Sequence, residues 1–343
     1  MLGRALRARI VIKLFMKIND RIHGEIEITE PIIIDLINSF AVQRLKEINQ
    51  AGYEPNVDNN FNQINRFEHS VGCYFLLKKV GAPLEEQVAG LIHDVSHSAF
   101  SHCADYILDD GSQTKHSHQD NVFEECVIKS GIPCILSKYN FDIDYILDEK
   151  NFPLQETTLP DICADRIDYS LRTLIFKKEI TQRGAQEILN CLKIINNNWV
   201  FVNYESAYNF TKLFLKANEV YYSGFDSAVM FNTVGEVMKY AIQKKYITEK
   251  DLYSTDKNVL DKVRKKLKVD KKLETLCKRM DRLTLSVNDP NNYEYNVFCK
   301  SRAIDPFCEN KEKIIRVSDI DGKYKNDLPK HLKPKEYFLR YIE

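Results

Sequence analysis

The stretch "GLIHDVSHSAFSH", residues 90–102, holds three of the chain's eight histidines, and His93 and Asp94 are neighbours within it. Successive side chains on an α-helix point about 100° apart. An adjacent His-Asp pair therefore cannot face one target from the middle of a helix. It can do so near a helix end, where the two side chains approach one ion from different angles. The run "LEEQVAGLI" leads straight into the pair, with acidic residues in its first turn as the helix dipole prefers. Two ligating side chains do not complete a site. Whatever fold the chain adopts must bring other segments to this helix end.

Two such segments are available. His69 lies in "NRFEHS", near an expected helix start, and Asp165 lies in "ICADRIDYSLR". In the second segment Asp165, Asp168, Tyr169 and Arg172 fall at i, i+3, i+4 and i+7, on one helix face. His69, His93, Asp94 and Asp165 would then surround one divalent ion with two imidazoles and two carboxylates, a set that suits transition metals. Positions left open on such an ion admit water and a phosphate oxygen. A buried histidine taken alone is more often a hydrogen-bonded core residue. Four histidines between residues 69 and 102, one of them beside an aspartate, turn that balance toward a metal site with hydrolytic chemistry. Spacing by itself goes no further.

The remaining sequence bounds the alternatives. Acidic and basic residues balance at 49 each over 343 residues, so no global field attracts nucleic acid and any anion binding is local. The nine cysteines form no C-x-x-C pair and read as reduced thiols, which points to a cytoplasmic setting. No apolar run approaches the roughly 20 residues of a membrane helix. No P-loop occurs. Residues 1–16 form an Arg-rich, acid-free extension, read either as an upstream start or as a targeting segment, and are set aside. "RIHGEIEITE" alternates like a strand, and "NNNWVFVNYE" is the clearest strand of all. Most of the rest up to residue 245 has helical spacing. "DKVRKKLKVDKKLETLCKRMDR" reads as one charged helix, and the tail mixes strand-like runs such as "YEYNVFCKSR" and "KIIRVSDI" with turns. The expected class is mainly α: a helical core over residues 17–245 with a smaller α+β region over 246–343.

"RFEHS", "HDVSHSAFSH", "KHSHQD" and "ADRIDYSLR", in that order, resemble the HD-domain phosphohydrolases, and among them the branch of SAM- and HD-domain dNTP triphosphohydrolases. The likeness starts at "IHGEIEI" and "VQRLKEINQAG" and recurs at "KSRAIDP" and "IIRVSDI", so it covers most of residues 18–330. It implies an HD fold with His69, His93, Asp94 and Asp165 holding the catalytic metal. It assigns His97, His102 and His118 to phosphate binding, proton transfer or a second ion such as Mg, with His97 as proton donor to the leaving oxygen. His116 is the rival for the place of His118, which the K-x-x-H spacing favours. Arg66 and Arg166 would meet phosphates, Tyr169 the sugar or base, and Gln50 a sugar hydroxyl. Asp168 would orient a metal ligand. The alternatives are salt bridges for the arginines, core packing for Tyr169 and helix capping for Gln50.

The chain departs from that pattern at Ser96 and Ala99, where Gly and Pro are usual, and at Thr173, where an acid is usual. Only Lys216 stands near the place of a phosphate-binding arginine in "LFLKANEVYYSGF". The expected activity is a phosphohydrolase dependent on iron, manganese, zinc or nickel, releasing triphosphate from a (d)NTP. The alternatives are a phosphomonoesterase or phosphodiesterase, or an idle nucleotide-binding regulator. A homo-oligomer is implied by the resemblance alone. The basic run from Lys262 to Lys272 reads as a solvated helix face, or else as a subunit or nucleotide contact.

Overall fold

A computed structural model of the chain describes residues 15–55 and 63–342. Residues 1–14, which carry most of the extension, and the Asn-rich segment 56–62 lie outside that range. Among the described residues the fold is mainly α with three small sheets. The expected single strand near residue 25 is a hairpin, Met16–Asp20 against Gly24–Ile28. Asp20 turns it by accepting the backbone N–H groups of Ile22 and His23. Gly24 follows at φ +77, a left-handed angle that glycine adopts without strain.

Three helices set the site. Arg66–Lys79 begins where Asn65 caps the Glu68 amide, which puts His69 in its first turn. Leu84–Ile92 ends at His93, as the His-Asp argument requires. Ala164–Phe176 carries Asp165 in its first turn. The expected helix "LPDICADRIDYSLRTLIF" therefore starts five residues later than its pattern suggests. The three helices pack through Val71, Leu76, Leu77, Leu91, Ile92, Ile167 and Leu171, all 2% exposed or less. Burying each such side chain contributes roughly 1.5–3 kcal/mol, so the ends that carry the ligands are held by a dry core.

The regions on either side of residue 245 share both a sheet and a core. Asn198–Phe201 pairs antiparallel with Leu192–Ile195 and parallel with Phe307–Asn310, which pairs in turn with Lys313–Arg316. One apolar cluster joins Ala99, Phe100 and Val234 to Leu252, Val297 and Leu339. The tail's own sheet orders Leu285–Asn288, Lys335–Ile342 and Tyr295–Cys299. The charged helix is two, Asp256–Arg264 and Lys271–Met280. Asp270 caps the Leu273 amide and starts the second, which is the signal the charge pattern masks. Among the described residues no helix is long and apolar enough to cross a membrane.

Candidate functional site

The four expected ligands converge. His69 Nε2 lies 2.9 Å from Asp165 Oδ1 and 3.2 Å from His93 Nε2. His93 Nε2 is 3.5 Å from both Asp94 Oδ1 and Asp165 Oδ1, and His69 Nε2 is 3.8 Å from Asp94 Oδ2. Donors bound to one metal at about 2.0–2.2 Å sit about 3 Å apart, and these separations cluster there. The outer ring nitrogens are already spoken for. His69 Nδ1 faces Asp168 Oδ1 at 2.7 Å, and His93 Nδ1 faces the Gly90 carbonyl at 2.8 Å. Each Nδ1–H donates outward, which leaves both Nε2 lone pairs pointing at one another. A proton or a cation between them resolves that clash. Burial opposes charge on His69, yet Cys73 and the hydrogen bonds to Asp165 and Asp168 push it well above its ordinary value. Burial would raise Asp94 and Asp165, but Arg66, His93 and His97 hold the first well below the usual range, and His69 and His93 hold the second there. The centre draws positive charge, and its donor set fits a divalent metal. The Cys73 thiol also lies close to the His69, His93 and Asp165 donors.

The surroundings fix these groups. Asp168 receives Arg172 Nε and Nη2 at 2.9 and 2.8 Å, and Arg172 Nη1 reaches Asp20 and Glu68 at 2.9 and 2.7 Å. A Cβ on Gly72 would run into Asp168 Oδ2 and Arg172 Nη2, so the helix needs glycine there for the pair to pass. Asp168 thus has the expected orienting position. Arg44 ties the carbonyls of Val95 and His97. Ser96, where the resembled family has glycine, accepts from Gln119 Nε2, which also holds the His93 carbonyl. Phe100 and Ser101 adopt φ of 62° and 49°, strained for side-chain-bearing residues. They are held there by Asp256, which accepts the Phe100 amide, and by the Ser101 hydroxyl on the Asn49 carbonyl.

A row of rings leads away from the metal set. His97 Nε2 meets Asp94 Oδ1 at 3.2 Å, and the His97 ring abuts His102 at 5.3 Å. His102 stacks on His116 at 5.0 Å. The row therefore takes in His116 rather than the favoured His118. His116 turns inward at φ 51°, and its Nε2 is 3.1 Å from the Tyr106 hydroxyl. His118 faces the other way, with Nδ1 on Asp110 and Nε2 on the Tyr253 hydroxyl. Asp105, three residues after His102, stands with His102 and His116 close enough to hold a second ion, and the sequence reading overlooked it. Burial and Arg66 hold His97 down at about 4, so it is neutral at pH 7. With its Nε2 spent on Asp94, it is badly placed to give a proton to a leaving oxygen. His102, also held neutral by burial and Arg66, has a buried Nδ1 with no partner.

Of the expected substrate contacts, Arg66 sits on protein groups. Its Nη1 grips both Asp94 oxygens at 3.2 and 3.0 Å, Nε donates to Ser101, and Nη2 donates to the Gln50 carbonyl. At 3% exposure it orients a ligand and has no free edge for a phosphate. Arg166 pairs with Glu156 at 2.9 Å on one side. Lys216 is spent on a surface pair with Glu179. Among the described residues Gln50 Oε1 and the Tyr169 hydroxyl are buried with no hydrogen-bond partner, as is His102 Nδ1. The Tyr169 ring also abuts His69, at 6.4 Å. Buried polar atoms are rarely left unmatched without a reason, and these line the ground next to the metal set.

No family model matches the chain. It is 32% identical to the uncharacterized protein YdhJ of Bacillus subtilis over 90% of this chain and 93% of that one. It is 36% identical to the metal-dependent phosphohydrolase cns2 of Cordyceps militaris over 51% of this chain and 50% of the relative. It is 32% identical to the deoxynucleoside triphosphate triphosphohydrolase SAMHD1 of Homo sapiens over 40% of this chain and 26% of the relative. The chain thus spans half or less of these two hydrolases' own length. A crystal structure of a phosphohydrolase from Bacteroides thetaiotaomicron superposes with a TM-score of 0.69 at 17% identity, over 96% of this chain and all of the other, which establishes a common fold. With the donors of His69, His93, Asp94 and Asp165 converging and this ancestry, the chain belongs to the HD-domain metal-dependent phosphohydrolases.

Proposed function

We propose that the chain cleaves nucleoside triphosphates, deoxynucleotides foremost, into nucleoside and triphosphate. The observation that carries this reading is the meeting of two imidazoles and two carboxylates beside unmatched polar atoms of Gln50, His102 and Tyr169. A divalent cation at the four donors supplies Lewis-acid polarisation of a phosphoryl oxygen and a lowered pKa for a water. The protein's own groups do the rest. Arg66 keeps Asp94 ionised and aimed. Asp168 and the Gly90 carbonyl fix the tautomers of His69 and His93. Buried walls exclude competing water. His102 Nδ1 is the nitrogen left to pass a proton to the leaving 5′ oxygen. Substrate negative charge nearby favours its protonated form, offsetting the burial that now opposes it. Gln50 Oε1 suits a sugar hydroxyl donor, and the Tyr169 hydroxyl suits a sugar or base acceptor.

The test is an anaerobic screen of all NTPs and dNTPs with Fe, Mn, Zn or Ni added, with products identified by mass spectrometry. Nucleoside plus triphosphate from at least one substrate is the expected result, with a His93→Ala, Asp94→Ala double variant inactive. Turnover of only p-nitrophenyl phosphate or cyclic nucleotides would sink the triphosphohydrolase reading and leave the family chemistry standing.

A further inference from the structure

Lys300 and Arg302 come from the C-terminal region, directly after the Tyr295–Cys299 strand, and the fold delivers them to the histidine row. The Tyr106 hydroxyl donates to the Phe298 carbonyl and lies 3.1 Å from His116 Nε2. Gln113 Oε1 accepts the Phe298 amide. Three and four residues on, Asn218 clamps the segment: its Oδ1 accepts the Arg302 amide and its Nδ2 donates to Ser301, whose hydroxyl donates to the His331 carbonyl. The strand end is thereby pinned to the His116 loop on one side and to the turn at Asn218–Tyr222 on the other.

Both side chains are half-buried. Among the described residues neither the Lys300 ammonium nor the Arg302 guanidinium has a hydrogen bond or an ion pair, although the chain is rich in both acids and salt bridges. The charge of Arg302 bears on His102 and His116, which it lowers with burial, and on Tyr169 and Tyr222, where it opposes the rise that burial causes. Lys300 is close enough to feel Arg302 and Arg166 as well as Asp120 and Asp105. Arg302 and Arg166 both work against the Lys300 charge, and among the described residues Lys300 and Arg302 have no ion pair to offset that repulsion. Such an arrangement is stable only as far as the fold compels it, and it suits a ligand carrying several negative charges.

We propose that Lys300 and Arg302 form a polyphosphate subsite, in which the C-terminal region holds the non-reacting phosphates of a substrate whose ester end lies at the metal set. This deepens the triphosphohydrolase reading and rests on it for the substrate's ester end. It also answers the missing phosphate-binding arginine in the helical core: the cation comes from a segment some 85 residues further along the chain, where Lys216 and Arg302 are compared.

The test is calorimetric titration of inorganic triphosphate and of orthophosphate into the full chain as purified, for wild type and for Lys300→Gln, Arg302→Gln, Arg302→Lys and Lys330→Gln. Wild type should bind triphosphate at least about tenfold more tightly than orthophosphate, and each neutral substitution at 300 or 302 should weaken triphosphate about tenfold or more, as loss of a charge-assisted contact does. Arg302→Lys should restore part of the loss, and Lys330→Gln, an exposed partner of Asp327, should change nothing. Thermal melts accompany each variant; losing an unmatched cation should not lower the midpoint, so weak binding cannot be blamed on unfolding. Equal binding of the two anions by wild type, or triphosphate binding unchanged in both neutral variants, overturns the subsite even if dNTP turnover is found. Triphosphate binding that depends on both cations supports it even if no nucleotide is hydrolysed.

Discussion

The metal-ligand half of the site and the half beyond it are built on opposite principles. Around His69, His93, Asp94 and Asp165 every second atom is engaged: Asp168 and Arg172 behind His69, the Gly90 carbonyl behind His93, and Arg66 behind Asp94. Beyond them, among the described residues, buried atoms of His102, Tyr169 and Gln50 lack partners, and Lys300 and Arg302 have no ion pair. Saturated hydrogen bonding gives a fixed geometry, which an ion needs because its ligand distances tolerate little error. Unsatisfied hydrogen bonding costs stability, and a ligand can make it good. The contrast divides the site into a part that is preformed and a part that is completed by what it binds.

Substitutions can break this contrast, beginning with the preformed half. Asp94→Ala removes a ligand and strands Arg66 in a buried position. Bound metal, measured by inductively coupled plasma mass spectrometry, should fall to background, and turnover of whichever ester the wild type accepts should drop by more than roughly 100-fold. Metal content and rate near those of wild type would show that the four donors are not the ion's seat.

Arg172→Met comes next. It strips Asp20 and Asp168 of their guanidinium and leaves Glu68 with Arg21 and Asp168 with His69 Nδ1. Arg172 is fully buried, and removing one member of a buried charged network costs about 3–5 kcal/mol. Urea denaturation should register that loss. Asp168→Asn is milder: it keeps the shape, weakens the grip on His69 Nδ1, and should lower metal affinity by roughly 10–100-fold. Gly72→Ala reaches the same pair from the opposing helix by sterics alone, and overpacking of this kind costs about 1–3 kcal/mol. If Gly72→Ala were as stable as wild type with full metal affinity, the close passage of the two helices would not be constraining the ligand.

How much of this was legible in the sequence follows the same division. The metal ligands could be found because each carries its own chemistry and because an adjacent His-Asp pair needs a helix end. The helices showed in their apolar periods. The K-x-x-H spacing favours His118, whereas a left-handed φ at His116 that the surrounding loop imposes brings His116 into the row, and spacing does not encode that angle. The parallel pairing of Asn198–Phe201 with Phe307–Asn310 joins segments more than 100 residues apart, and no local pattern encodes it. Lys300 and Arg302 are two among 49 basic residues, and only the fold distinguishes them from the solvated ones. The resemblance implies a phosphate contact for Arg66, but Asp94 arrives beside it and the carboxylate takes the guanidinium first.

The smallest effect tests the unfinished half without any ligand. Burial, then Arg302 and Arg166, push the Lys300 ammonium down from 10.5 to about 8, against the pull of Asp120 and Asp105. Below pH 8 the group is charged in both folded and unfolded chains, and the full penalty of holding that charge in the fold is present. Between about 8 and 10.5 the folded protein gives up the proton while the unfolded chain keeps it, so this residue's contribution to stability rises with pH. Lys300→Met should therefore be more stable than wild type at pH 7, by on the order of 2 kcal/mol, and the difference should shrink as the pH climbs past 8. Urea denaturation of both proteins at pH 7, 8 and 9 measures that difference directly and subtracts every other titrating group they share. A variant less stable than wild type at pH 7 would mean that Lys300 holds the fold together, and the proposed division of the site would then fail at this residue.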